Sequence, residues 1–427
     1  MYRERARTIS ASLILLALSV EAQVIDPQAI LNEVRRKVES TVQSAPRYTC
    51  VETIERYWYA NRKVGRPGCD ADHQPEISGR NLVRSDRLRL DVAVGSGQEI
   101  FSWHGQESFQ TDEIDELVTA GPVSSGSYFS FLSSIFLEGI AKIDFRGLQG
   151  DVGKQVAVFG YSVPLRESHF ETRTARGKEA MGYNGEFTVD PTKNELRQLD
   201  IDTDDMPETA LFCAFSSKTR YEVTILNGVA FQLPASVAAD ILYQSHERAR
   251  TITQYRECRE FSAESVLRFG DVPKQDGRTV SKSIRTLPAG LAVRIRIKTG
   301  IDPNTAWTGD PVEGELATDI VDGQGKVLAA RGAPAQGILI RLETGVRPSH
   351  FYTAALKFRN LSAAGEDYRL NLKSLAEPLS LGTGRDSMPS RIQLDTPPIS
   401  DDPAACRFRF NDKHIRLKGV VTYWVTN

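Results

Sequence analysis

A chain of 427 residues exceeds one ordinary domain, and its 40% hydrophobic and 25% charged residues are those of a folded globular protein with a sizeable core. A formal net charge of −2 excludes a broad basic surface, so nothing points to nucleic acid or to an anionic membrane as a partner.

Arg3, Arg5 and Arg7 form a basic start, residues 9–20 a short apolar run, and Val20-Glu21-Ala22 a small-residue end. This layout predicts a signal peptide over 1–22 and a mature start at Gln23. The expected address is the periplasm or the outer membrane. No cysteine sits at the cleavage point and no later run is long enough for a transmembrane helix, so neither a lipid anchor nor a span is expected in the mature chain. Export makes disulfides plausible for five cysteines. Cys50 and Cys69 flank a Gly/Pro turn and form the expected local pair; Cys213 and Cys258 form the second, and Cys406 is left over. The alternative is that some stay free and buried, since spacing does not fix connectivity.

Asp26-Pro27 is a helix start, and Ile30, Leu31, Val34, Val38 and Val42 recur at helical spacing up to Pro46. Strands are predicted over 48–59, 82–92 and 100–103 from β-branched, aromatic and alternating residues. A second helix is predicted over 127–141, where Phe129, Leu132, Ile135, Phe136 and Ile140 share a stripe and Gly139 weakens the end. Strands return over 156–163, 168–173, 182–190, 196–201, 219–226, 229–233 and 251–258. Asn227-Gly228 between two apolar runs predicts a two-residue hairpin.

Polar residues 271–286 read as a linker. Beyond it, Val293-Arg294-Ile295-Arg296-Ile297 alternates strictly, and further short strands are predicted over 312–320, 325–328, 337–342, 351–358, 407–410 and 415–425. Residues 375–402 read as a long surface excursion. The expected fold is mainly β (α+β). Residues 23–270 form an antiparallel half-barrel sheet with covering helices, and 287–427 a small β-barrel or sandwich.

Two resemblances accompany these patterns. The stretch from Tyr48-Thr49-Cys50 through Phe159-Gly160-Tyr161, Gly182-Tyr183-Asn184-Gly185-Glu186-Phe187, Leu233-Pro234 and Cys258-Arg259-Glu260-Phe261 resembles uncharacterised secreted bacterial proteins. Its plan is similar to the lipoprotein-carrier fold of the LolA and LolB type. That resemblance implies an open half-barrel with a helical lid and an apolar cavity for acyl chains. Leu287-Pro288-Ala289-Gly290, Gly309-Asp310-Pro311-Val312 and 328–337 resemble the β-barrel segment of type IV secretion outer-membrane complexes, which implies a docking module in the envelope.

Reactive chemistry finds little support. Asp200, Asp202, Asp204 and Asp205 lack the Gly and Glu that a calcium loop places at its sixth and twelfth positions, and a solvated strand end is favoured. Cys69 and His73 are two ligands on one turn, which do not make a zinc site. Ser168 and His169 are adjacent, so on a strand they point to opposite faces. Glu186 and Asp190 share a strand face and carry one alternative reading, a hydrolase of polysaccharide or envelope polymer; the other is a structural component of an envelope or secretion complex. No metal site and no cofactor are expected. The favoured reading is a non-catalytic protein that binds a lipid or acyl chain, or an envelope protein partner. The candidates for the apolar cavity are Trp103, Phe129, Leu132, Phe136, Phe159, Tyr161 and Phe187.

Overall fold

The computed structural model describes the chain from Asp26 to Asn427 except residues 45, 61–68, 70–80, 96–97, 107, 113, 119–120, 124–128, 152–153, 175, 211, 261–284, 348, 376–378, 381–403, 412–414 and 416. The predicted signal peptide, the linker up to residue 284 and most of the 375–402 excursion lie outside the described residues.

Helix α1 (Pro27–Ser44) starts as the sequence predicts: Asp26 Oδ1 accepts the backbone N–H groups of Gln28 (2.9 Å) and Ala29 (3.3 Å). It buries Ile30, Leu31, Val34 and Val38. Then come β1 (Tyr48–Tyr59), β2 (Leu82–Gly95) and β3 (Gln98–Trp103), the short α2 (Ile114–Leu117), and α3 (Ser130–Leu132), which runs on as a π-turn over Ser133–Leu137. The second helix is thus shorter than predicted, and Gly139, at φ +73°, stands just past its end. The remaining strands of this region are β4 (Lys142–Gln149), β5 (Val156–Val163), β6 (Glu171–Thr174), β7 (Gly177–Ala180), β8 (Tyr183–Asp190), β9 (Glu195–Thr203), β10 (Phe212–Leu226), β11 (Val229–Tyr243) and β12 (Arg248–Glu260).

These strands pair antiparallel in the order β4-β5-β8-β9-β10-β11-β12-β1-β2, with β6 and β7 apart as a hairpin. Asn227 and Gly228 both take positive φ, 50° and 77°, and close the β10–β11 hairpin between Leu226 and Val229, the two-residue turn the sequence predicts. β1 is central, between β12 and β2, so the chain's first strand pairs with its twelfth.

The second region holds β13 (Arg285–Thr286), β14 (Ala292–Ile297), β15 (Pro311–Leu316), β16 (Ile320–Val321), β17 (Val327–Ala329), β18 (Pro334–Gly345), β19 (Phe351–Ala363), β20 (Glu366–Arg369), β21 (Leu372–Ser374), β22 (Leu379–Ser380), β23 (Cys406–Phe410) and β24 (Val421–Thr426). Arg285 and Thr286, the last residues of the predicted linker, pair parallel with β20. Pairings run β14–β15–β18–β19–β20 one way and β14–β24–β21 the other, and β20 and β21 are consecutive in the chain. These strands pack around a shared core of Val293, Ile295, Ile297, Leu356, Phe358, Phe408 and Trp424, all buried.

The two regions share one sheet. β2 pairs with β18 at Asp86↔Glu343, Ser85↔Thr344 and Arg84↔Gly345. Inside the first region the core splits. One cluster packs α1 and the π-turn on β5, β8 and β9 (Phe136, Phe159, Phe187, Leu199); the other fills the space over β1, β2 and β3 (Ile54, Leu88, Leu90, Trp103). No helix among the described residues is long and apolar enough to cross a membrane.

The cysteine partners differ from the expected ones. The same four cysteines pair, but as Cys50–Cys258 and Cys69–Cys213, and Cys406 stays free and buried. Strand order explains the exchange for the first pair. β1 lies beside β12, and a bulge at the Thr49/Val51 step, with Glu257 at φ +53°, sets Cys50 against Cys258. A local Cys50–Cys69 link cannot compete with a partner on the adjacent strand.

Candidate functional site

Between the two core clusters the concave sheet face carries small and hydroxyl-bearing residues. Ala239 pairs with Ser217 on one side and Thr251 on the other, and the next row holds Thr219, Val237 and Thr253. Small side chains leave space above them, where the flanking clusters fill it with Phe and Leu. The result is a cavity of ≈ 380 Å³. That is near the lower end of small-molecule pockets.

Its floor is Ala239 and Thr251; its walls are Phe170, Tyr183, Phe212, Phe215 and Ile241; Phe131, Ser130 and Ser134 roof it from α3 and the π-turn. Phe131 packs edge-on to Phe170 (5.0 Å) and to Tyr183 (5.4 Å), so the aromatic wall is fixed by its own contacts. His169 and Glu171 line it from the 169–172 side, with His169 exposed. The hydroxyl of Thr251 is buried without a hydrogen-bond partner, and so is that of Thr253. Burial pushes the Tyr183 phenol up to about 12, so it stays neutral in the wall.

The residues singled out from sequence lie next to this cavity. Leu132, Phe136, Phe159, Tyr161 and Phe187 come together as packed core under α1, with Phe159 stacked on Phe187 at 5.1 Å. Burial raises the Tyr161 phenol above the ordinary range, and its hydroxyl donates to the Asp200 carbonyl (2.8 Å). Phe129 packs against the other cluster, and Trp103 belongs to it. Sequence reasoning passed over Phe131, Phe170, Phe212 and Phe215. Phe131 stands off the helical stripe, Phe170 and Phe212 sit at strand ends, and Phe215 lies in the first part of β10, which has no alternating burial to read. An apolar residue out of phase with its own stripe is the cue that would have found Phe131.

The acidic candidates are spread and engaged. Glu186 lines a shallow, open hollow with Asp144, Asp200 and Asp202 on the outer face. Asp200 pairs with Lys218 (2.6 Å), and Asp204 accepts from Asn184 (3.1 Å). Burial raises the Asp190 carboxyl, but hydrogen bonds from Arg197, from the Thr192 hydroxyl and from the Thr192 and Lys193 backbone outweigh it and hold the group well below the carboxylate range. A carboxylate held this way is a poor general acid. Cys69 is in a disulfide, and His73 lies outside the described residues. Among the described residues no three His, Cys, Asp or Glu side chains gather as a metal site.

A second cavity, of ≈ 200 Å³, lies where β2 meets β18. Arg56 grips Asp86 with two hydrogen bonds, Nε to Oδ1 (2.7 Å) and Nη2 to Oδ2 (2.6 Å), both side chains buried. Trp58 lies under the guanidinium of Arg84 at 4.2 Å.

No protein-family model and no curated protein matches the chain. Among solved structures it is similar to a LolA superfamily protein from Nitrosomonas europaea, at 8% identity and a TM-score of 0.26, over 54% of this chain and 94% of that one. It is also similar to a putative outer membrane lipoprotein-sorting protein domain from Vibrio parahaemolyticus, at 10% identity and a TM-score of 0.25, over 53% of this chain and 90% of that one. Likeness at this level carries no argument about ligand or role.

Proposed function

We propose that this chain is an exported envelope protein, non-catalytic, whose first region holds the apolar part of a lipid or acyl chain. The observation that carries the reading is the aromatic-walled cavity roofed by α3 and the π-turn. An acyl chain entering it gains about 0.8 kcal/mol per buried methylene, so about ten methylenes supply the roughly 8 kcal/mol of micromolar binding, before the entropy cost of association. The two disulfides fit an oxidising compartment. Division at residues 271–286, with the barrel docking on an envelope partner, is the second half of the proposal and rests on the sequence resemblance of that region.

The test is displacement of a fluorescent fatty acid, cis-parinaric acid, combined with mass analysis of lipids extracted from the purified protein. The wild-type chain is expected to bind the probe and to release a co-purified amphiphile. Ala239→Phe, which fills the floor, is expected to lower probe affinity at least tenfold. It should cost little stability, because the ring enters existing space. No bound amphiphile and no probe binding would sink the reading. So would an Ala239→Phe variant that loses the several kcal/mol expected of overpacking in a full core.

A further inference from the structure

We propose that the aromatic cavity takes an uncharged lipid whose polar end is a hydroxyl, and takes it head first, with that hydroxyl on Thr251. This rests on the reading that the cavity holds an apolar chain, and it names which end of the ligand goes in.

Strand register lays one row of residues across the cavity floor. Ser217 on β10 pairs with Ala239 on β11, Ala239 with Thr251 on β12, and Thr251 with Arg56 on β1. Thr251 is 2% exposed, it lines the cavity, and its Oγ1 has no hydrogen-bond partner. A buried hydroxyl in that state has lost its bonds to water and gained none in return, so a ligand that pairs with it is favoured over one that does not. The hydroxyl and the methyl of threonine are close in size. A turn about χ1 from one staggered well to another exchanges them, and brings the oxygen to the cavity with little change of volume. On the roof the situation differs, because the Ser134 hydroxyl already donates to Glu138 Oε2 (3.3 Å).

Charge decides the class of head group. Among the described residues that line the cavity there is no Lys or Arg, and the charged or chargeable ones, Glu171 and His169, are exposed. Arg56 stands across from Thr251, but its Nε and Nη2 are both on Asp86. A carboxylate or phosphate driven to the floor would shed its hydration with no lining cation to replace it. An ammonium there would likewise meet no lining carboxylate. A hydroxyl carries no charge, and it donates and accepts, so it pairs with Thr251 whichever way the threonine proton points. A hydrocarbon end leaves Thr251 unpaired. A fatty acid goes in tail first and keeps its carboxylate in water at the mouth, where His169 is exposed.

The full chain, loaded with cis-parinaric acid at neutral pH, is titrated with octan-1-ol, 1-fluorooctane and octanoate, and release of the probe is read by fluorescence. Transfer out of water alone favours the fluoride over the alcohol, so the order of the two is diagnostic. Octan-1-ol is expected to displace the probe at a lower concentration than 1-fluorooctane, and at a concentration at least tenfold lower than octanoate. Thr251→Val, which keeps the shape and removes the hydroxyl, is expected to weaken octan-1-ol at least tenfold, to reverse that order, and to keep or raise the melting temperature. Thr251→Ser is expected to restore the preference for the alcohol. Thr253→Val removes a second buried, unpartnered hydroxyl from the same face of β12, at a residue that does not line the cavity, and is expected to leave octan-1-ol binding unchanged. A wild-type chain that prefers the fluoride, or takes octanoate as well as the alcohol, overturns the proposal. So does a Thr251→Val variant with unchanged affinity for octan-1-ol, or with a melting temperature many degrees lower, or an equal loss of affinity in Thr253→Val. If the probe binds and none of the three octyl compounds releases it, this inference fails and the lipid reading stands. If the probe itself does not bind, both fail.

Discussion

Two charged residues on the inward face of β1 show how context decides the fate of a buried charge. Tyr48, Cys50, Glu52, Ile54, Arg56 and Trp58 all point inward and are buried. Arg56 meets Asp86 in a fork geometry that repays part of its desolvation. No cation pairs with Glu52 among the described residues. Burial first, and then the charge of Glu99, raise its carboxyl from 4.5 to about 8, with the nearby Tyr255 hydroxyl acting the other way. The folded chain therefore keeps this proton between pH 4.5 and about 8, where the unfolded chain has released it. The native state then binds more protons than the unfolded state, so Glu52 makes stability fall as pH rises through that window, by up to about 1.4 kcal/mol per pH unit. Below 4.5 both states are protonated and above about 8 both are charged, and the effect is flat. Glu52→Gln is expected to abolish this slope. Urea unfolding at pH 5 and pH 8 checks it: the stability advantage of the variant should grow by several kcal/mol between the two. An advantage equal at both pH values would mean that Glu52 is not protonated in the fold.

At the scale of elements, the β1–β12 disulfide ties the first strand to the last of its sheet. It closes a loop of 208 residues, so its loss should cost about 2–5 kcal/mol, chiefly by freeing the unfolded chain. Cys50→Ser/Cys258→Ser is expected to fold and bind the fatty-acid probe with a lowered melting temperature, and non-reducing peptide mapping of the wild type should recover 50–258 and 69–213 cross-links. Cys406, 1% exposed and its thiol pushed up to about 11 by burial, should resist a thiol reagent until the chain unfolds. Strands with a face in a core were legible in the sequence: Ala292–Ile297 alternates buried and exposed, and Val156–Val163, buried on both faces over most of its length, is a short apolar run. β4 was not, because an edge strand exposed along most of Lys142–Gln149 has no pattern to read. Disulfide partners were illegible because they depend on β1 having β12 on its other side from β2, which no local spacing records. The cavity escaped for a related reason. It is made by what is missing above Ala239 and Thr251, and the sequence shows small residues in strands without showing that they line up across three of them.

At the scale of the whole molecule, the two regions are held by the backbone of β2 more than by a greasy interface. The Arg89 N–H donates to the Thr308 carbonyl and the Thr308 N–H to the Arg87 carbonyl, both at 2.8 Å, while the Gly309 N–H donates to Leu339 (2.7 Å). Arg87 and Arg89 lie over the Trp307 ring at 4.8 and 5.2 Å, and Asp310 holds the turn by accepting the Trp307 N–H (2.8 Å). Gly309 is a point of close backbone approach. It sits at φ +107°, and a Cβ there would run into the Arg89 carbonyl oxygen and approach Trp103. The Gly-Asp pair noted in the sequence thus has a structural task, to let the loop before β15 lie flat on β2. Gly309→Ala combines a conformation hostile to a side chain with a backbone collision that no rotamer relieves, which costs at least about 2 kcal/mol. The expected consequence is specific to the seam. Calorimetry should show one cooperative transition for the wild-type chain and a lower, split transition for Gly309→Ala, because the regions then unfold with less mutual support. Gly323→Ala, at a position with open space around it, should leave the transition unchanged. A Gly309→Ala chain that melts as sharply and as high as wild type would show that the seam does not couple the two regions, and that each stands on its own core.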